Sequence, residues 1–148
     1  MVNSFLESDL TDSSDPLFSL PGYVLRRAAN AMMAELAARL SELDMRISDA
    51  SVLLLIAGRH DMTSSDIGKI LDIQRANMVP LLNRLEGSGL IRRVPIDRKS
   101  QAIVLTDEGQ NRLLQVRAVT HRFESDLLER IPAEHRAHFV PALQALAG

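Results

Sequence analysis

Cysteine is absent from the 148 residues. That removes a thiol redox switch, a thiolate metal site and a disulfide framework, and it fits a protein that stays in the cytoplasm. Aromatic residues make up only 3% of a chain that is 46% hydrophobic. A core must therefore be built from Leu, Ala, Val, Ile and Met. No stretch approaches the ~18 apolar residues of a membrane span. The first residues hold no basic stretch followed by an apolar one, so no signal peptide is expected. A glycine-rich phosphate loop, a nucleophile elbow, an HExxH pattern and paired carboxylates are also missing. That argues against an enzyme, and no cofactor is expected.

The length suits one domain with a core of its own. Net charge is −2, which taken alone speaks weakly against a nucleic-acid partner. The distribution reverses that reading. Residues 74–99 hold Arg75, Arg84, Arg92, Arg93, Arg98 and Lys99 against Glu86 and Asp97, a balance of +4 that leaves −6 elsewhere. A local basic patch is what electrostatic binding to DNA requires.

Residues 63–106 carry the most information. Thr63, with Asp66 three positions on, resembles a capping box that opens a short helix. Ile67, Ile70 and Leu71 would point inward from it. A tight connection leads to a second helix, about 75–87, with Met78, Leu81, Leu82 and Leu85 inward. Gly87 and Gly89 stop it. Leu90–Val94 and Gln101–Leu105 suit two short strands around a charged turn, and Thr106 caps a long helix to about Ile131. This is the plan of a winged helix-turn-helix, mainly α with a small β-hairpin wing.

The polar face of helix 75–87 is expected to meet DNA. Gln74, Arg75 and Asn77 lie near its start, where they suit base edges. Arg84 lies further along and suits phosphate. Pro80 is unusual, since proline inside a regular helix costs about 3 kcal/mol; a small bend is one explanation. At the hairpin tip, Arg98 and Lys99 suit the minor groove, with Asp97 holding one of them in position. The alternative is a merely solvated turn.

Flanking segments complete the plan. Residues 1–16 read as a flexible acidic tail. A long helix from Leu17 to about Leu43 is apolar nearly all round, through Val24, Leu25, Ala28, Ala29, Met32, Met33, Leu36, Ala37 and Leu40. Such a helix needs burial on several sides, and a chain this small offers too little surface of its own. A second subunit is implied. Ser48 is expected to cap a helix of about 49–59. Pro132 suits the first position of a last helix that carries Phe139, Leu143 and Leu146, with a kink at Pro141. The expected divisions are a tail over 1–16, a dimerisation helix over 17–46, a DNA-binding region over 47–106 and C-terminal dimerisation helices over 107–148.

From about residue 17 to 148 the chain resembles MarR-family transcriptional regulators. The most specific part is NRLEGSGLIRRVPIDRKSQAIVLTDEG, residues 83–109. It combines a recognition-helix end, a glycine turn, a basic strand, an acidic-plus-basic wing tip, and Leu105, Thr106 and Gly109 where strand gives way to helix. The resemblance places the family's wing-tip arginine on Lys99, with Arg98 beside it. It implies an obligate homodimer interlocked through its first, fifth and sixth helices, an inverted-repeat operator in double-stranded DNA, and repression relieved by a small anionic or phenolic compound.

Polar side chains interrupt the first helix at Tyr23, Arg26, Arg27 and Asn30, on adjoining faces at i, i+4. A buried arginine needs an anion. A ligand carboxylate beside the tyrosine hydroxyl would suit an aromatic acid; the CoA thioester of such an acid is a further candidate effector. An intersubunit salt bridge to an acidic residue of the fifth or sixth helix would serve equally. Arg59 and His60 fall where the family's pocket meets its DNA-binding lobe, and His121 lies midway along the fifth helix; each histidine is either a hydrogen-bonded structural residue or, for His60, a sensor of ligand or pH. His135 and His138 at i, i+3 beside Glu134 lack a third clear ligand, so no metal site is expected. The competing functional readings are a winged helix that binds protein and a regulator without a small-molecule ligand.

Overall fold

A computed structural model of the chain describes residues 15–148. The expected acidic tail thus lies outside the described residues, apart from Asp15 and Pro16. Six α-helices and one hairpin follow in order: α1 Pro21–Ser41, α2 Ile47–Ile56, α3 Ser64–Leu71, α4 Arg75–Gly87, β1 Ile91–Pro95, β2 Gln101–Leu105, α5 Asp107–Arg130 and α6 Arg136–Ala147. The chain divides into two compact units at Ala38 and Arg39.

In the first unit, α1 starts at Pro21, four residues later than its apolar pattern suggests. Proline favours the first helical position and keeps the residue before it out of the helical region. The preceding residues form a turn instead, in which the Leu17 N–H donates to Asp15 Oδ1 at 2.9 Å. Leu25 and Met33 remain exposed on this helix.

The second unit holds the core. Every buried apolar side chain among the described residues lies at or beyond Leu40, and the largest include Phe123, Leu53, Ile56, Ile67, Met78 and Leu85. Three of its helix ends share one device. Asp44, Asp72 and Gly89 take positive φ of 56°, 54° and 75° just past α1, α3 and α4. The next N–H reaches back five residues each time, Met45 to Leu40 at 3.2 Å, Ile73 to Gly68 at 2.8 Å and Leu90 to Leu85 at 3.0 Å. Left-handed residues at this position satisfy the last carbonyls of a helix. Aspartate fills two of the three, since it tolerates that conformation better than most.

The expected cap at Ser48 is corrected. Helix α2 begins at Ile47, two residues earlier than Ser48 would allow. Asp49 closes its start, accepting the Arg46 N–H on Oδ2 at 2.9 Å. The helix also ends sooner than expected, at Ile56, with Gly58 at φ 69° just beyond. The capping box of α3 forms as its sequence predicts. Thr63 Oγ1 accepts from the Asp66 N–H at 3.2 Å, and Asp66 Oδ2 accepts from the Thr63 N–H at 3.0 Å. Between α3 and α4 the backbones come close. A Cβ on Gly68 would stand 3.0 Å from the Ile73 carbonyl oxygen and 3.3 Å from Met78 Cγ.

Strands β1 and β2 are antiparallel, running from Ile91 opposite Leu105 to Pro95 opposite Gln101. The Ile103 N–H donates to the Met62 carbonyl at 2.7 Å, which ties the hairpin to the start of α3. Thr106 joins the hairpin to the end of α4. Its N–H donates to the Leu90 carbonyl at 3.1 Å, its hydroxyl donates to the Gly89 carbonyl, and the same oxygen accepts the Gly109 N–H at 3.0 Å. After α5, Pro132 does not open the last helix. It precedes a short 3-10 turn, Ala133–His135, and α6 begins at Arg136. The Arg136 guanidinium closes this corner on the carbonyls of Ile131 and Glu129, at 2.8 and 3.0 Å.

Gly109 sits where a side chain has no room, because a Cβ there would collide with the Leu90 carbonyl. Backbone cannot swing aside as a side-chain tip can. Gly109→Ala is expected to cost about 1–3 kcal/mol, the range for overpacking a tight site. A shift of the urea midpoint at unchanged slope would show it; an unmoved midpoint would mean that the corner relaxes freely.

Candidate nucleic-acid interface

Helix α4 presents two unlike faces. Met78, Leu81, Leu82 and Leu85 are buried. At 3.6 residues per turn, Ala76, Pro80 and Asn83 point the opposite way. Arg75 and Val79 flank that outer strip on one side, Asn77 and Arg84 on the other. Gln74 stands at the helix start in extended conformation, and Gln74, Arg75 and Asn77 are all exposed. Pro80 lies on the outer face within the helix, which runs through it from Arg75 to Gly87.

Arg84 is committed elsewhere. Its Nη2 donates to Asp49 Oδ1 at 2.6 Å. Asp49 is only 4% exposed, so the recognition helix is fastened by a charged pair to the start of α2. The pair joins residues far apart in sequence, and no local pattern signals it. Arg93 on β1 is likewise held, by Glu86 at 3.2 Å and by the Asn83 side-chain oxygen at 3.0 Å. These bonds fix the wing's first strand to the recognition helix.

Asp97 supports the wing, but through backbone. Its Oδ1 accepts the N–H groups of Lys99 at 2.8 Å and Ser100 at 2.9 Å. Those two donors, Lys99 first, hold its carboxyl below the usual carboxylate range, so it is ionised at neutral pH and keeps the turn closed. The side chains of Arg98 and Lys99 are left exposed at the tip.

The residues expected to bind an effector fall into separate places. Tyr23 and Arg27 converge in the first unit, on a carboxylate supplied by the chain itself. The Tyr23 hydroxyl donates to Asp15 Oδ2 at 3.0 Å. Arg27 Nη1 reaches the same oxygen at 3.4 Å and the Tyr23 hydroxyl oxygen at 3.3 Å. The guanidinium carbons of Arg26 and Arg27 lie 5.7 and 5.8 Å from the centre of the Tyr23 ring. Within one chain, the carboxylate beside Tyr23 and Arg27 is that of Asp15. Asn30 is exposed outside this cluster. In the second unit, Arg59 donates to Met62 Sδ at 3.3 Å, and His60 and His121 are exposed. A cleft of about 540 Å³ in that unit is bounded by Arg46, Asp49, Arg84 and Arg112 among others, and none of the expected effector residues lines it.

Residues 43–100 match the MarR family model. Over 89% of its length the chain superposes on 95% of a solved structure of the transcriptional repressor CouR bound to a 23-mer DNA duplex, with a TM-score of 0.82 and 30% identity. The chain belongs to the MarR family. Among curated relatives, it is 36% identical over 89 residues to the HTH-type transcriptional regulator PecS of Dickeya dadantii, covering 59% of this chain and 51% of PecS. It is 29% identical over 98 residues to the uncharacterised HTH-type regulator YdgJ of Bacillus subtilis, covering 65% of this chain and 60% of YdgJ. The matched stretch therefore spans between half and three-fifths of those two relatives. As a member of the MarR family, this chain has its winged helix in α3, α4 and the hairpin.

Asp49→Ala removes a helix-start acceptor and leaves a half-buried guanidinium unpaired. The expected loss is about 2 kcal/mol. Adding Arg84→Met in the Asp49→Ala background should recover part of it, because the uncompensated charge is then gone. Denaturant titrations of the two single variants and the double variant measure this directly. Strict additivity of the two single effects would mean that the pair is not coupled.

Proposed function

We propose that this MarR-family chain acts in the cytoplasm as a homodimeric repressor that reads an inverted repeat in double-stranded DNA. The observation that carries this is the pairing of an exposed polar helix start with an exposed basic turn. Arg75 and Asn77 are exposed on the two flanks of the outer strip of α4, and Arg98 and Lys99 stand at the wing tip. A helix start of this kind suits the major groove, and a basic turn suits phosphate or the adjoining minor groove. The likeness to a repressor captured on a DNA duplex supports the same reading. Dimerisation through α1, α5 and α6 is supported by apolar side chains exposed in a single chain. Leu25 and Met33 on α1, Leu114 on α5, and Val140 and Leu146 on α6 are all of this kind.

A small anionic aromatic compound is the proposed effector. A phenol and a guanidinium already share one carboxylate in the first unit. An external carboxylate offers the same acceptor oxygens in place of Asp15, and Arg26 over the Tyr23 ring provides a second cation. The mechanism is a population shift: the ligand binds more tightly to a form of the dimer whose recognition helices do not match the groove spacing.

The DNA reading is tested with duplexes selected from a random library. Half-sites about 10 base pairs apart are expected. Arg75→Ala and Asn77→Ala should relax preference at particular positions. Arg98→Ala and Lys99→Ala should weaken binding to most sequences and reduce the salt slope by about 1 for each phosphate no longer neutralised. A wing whose removal changed neither affinity nor salt slope would contradict the assignment, and so would a well-folded monomer at micromolar concentration.

The effector reading is tested by thermal shift against aromatic acids, phenols and their CoA thioesters. For a compound that raises the melting temperature and releases DNA, Arg27→Ala should keep DNA binding and lose release. A normal response from both Arg26→Ala and Arg27→Ala would move the search to Arg59, His60 and His121.

A further inference from the structure

We infer that Val79 is a specificity residue of this regulator, and that its side chain packs against the 5-methyl group of a thymine in the major groove. The inference rests on the proposed reading of DNA through α4.

Val79 is 55% exposed, and among the described residues it is the large apolar side chain that α4 leaves in solvent. A branched apolar residue gains nothing from helix propensity and little from burial here. Its surroundings point to a nucleic-acid partner rather than to a protein core. Arg75 lies one turn earlier on the same flank, at i, i+4. The neighbouring outer positions, Ala76 and Pro80, are short and carry no hydrogen-bonding side chain, so they hold nothing between the helix and a base edge. The whole segment 74–99 carries a balance of +4, which suits phosphate-lined grooves and does not suit an apolar protein patch. The other exposed apolar residues nearby, Ile70 and Ile96, stand on α3 and on the wing turn and do not share this flank.

In the major groove, thymine is distinguished by an apolar group. The other bases offer hydrogen-bond donors and acceptors alone. Arg75 supplies a bidentate donor pair of the kind that grips guanine, and Val79 supplies the apolar contact that thymine alone can return. Together they predict a guanine and a thymine close together in each half-site, at positions read from the same flank of the helix.

The test uses the full chain and a duplex selected from a random library. Each thymine in the selected site is replaced in turn by deoxyuridine, which keeps the base pair and removes only the 5-methyl group. For the wild-type protein, one replacement per half-site should weaken binding by about fourfold, the value of one buried methyl-sized group. Val79→Ala should lose that discrimination at that position and keep it at every other. Val79→Thr retains one methyl and should keep part of it. If the wild-type protein is indifferent to deoxyuridine at every position, the inference is overturned, whether or not the variants fold. It is also overturned if Val79→Ala discriminates as the wild type does, or if it loses affinity equally for all duplexes. Failure to select any preferred duplex would instead overturn the DNA reading on which this rests, and the inference with it.

Discussion

The carboxylate of Asp49 is the group on which the geometry of the surface formed by α4 and the wing depends. One oxygen accepts the Arg46 N–H at the start of α2, and the other accepts from Arg84 of α4 at 2.6 Å. A buried carboxylate needs its oxygens satisfied, and here each client belongs to a different element. The angle at which α4 leaves the core is therefore coupled to where α2 begins. The remaining ties act in the same direction. Arg93 fastens β1 to Asn83 and Glu86 of α4, and Thr106 fastens the end of β2 to the turn after α4. The recognition helix, the wing and α2 behave as one body because polar bonds cross between them at their ends, while apolar packing fills the middle.

Net charge says little about this chain; what matters is which cations are already engaged. Arg84, Arg93, Arg112 and Arg136 all donate to protein acceptors. Arg75, Arg98 and Lys99 are exposed on the outer side of α4 and at the wing tip. The sequence displays these groups alike, simply as basic residues. Only the fold separates those that build the surface from those available to a partner. Arg84 illustrates the difference: at the sequence level it sits on a polar helix face beside Asn77, and its partner Asp49 lies in a segment that reads as the start of an apolar helix.

Legibility follows locality. The Thr63 capping box, the hairpin pair, the cap at Thr106 and the inward face of α4 are readable because each is decided within a few residues; on α3 Ile67 is buried as expected, but Ile70, also expected inward, is exposed. Two of the three left-handed helix ends are not readable, because aspartate stands at positions 44 and 72 where glycine would have announced the turn. The start of α2 misleads for a related reason. Ser48 is a good cap by type, but the helix opens two residues before the start it would give, where Asp49 Oδ2 accepts the Arg46 N–H. The late start of α1 is legible in principle, since Pro21 prescribes it. A strong apolar pattern beginning at Leu17 outweighs that signal. Asp15 lies too far from Arg27 for spacing to suggest the pair.

The same distinction between engaged and exposed groups bears on release. The Asp15–Arg27 pair is 3.4 Å long, and its guanidinium side chain is 56% exposed. Exposed ion pairs contribute about 0–1 kcal/mol. On the proposed reading, a ligand that replaces Asp15 against Tyr23 and Arg27 forfeits little, and any ring it buries beside the apolar side chains of α1 adds to its affinity. The Asp49–Arg84 pair is the opposite case, with a buried carboxylate and a shorter bond, and its loss would disturb the recognition helix itself. On the same proposed reading the two carboxylates divide the work: the loosely held one is exchanged for a ligand, and the firmly held one keeps the surface of α4 and the wing in one arrangement until a ligand shifts the population of the dimer.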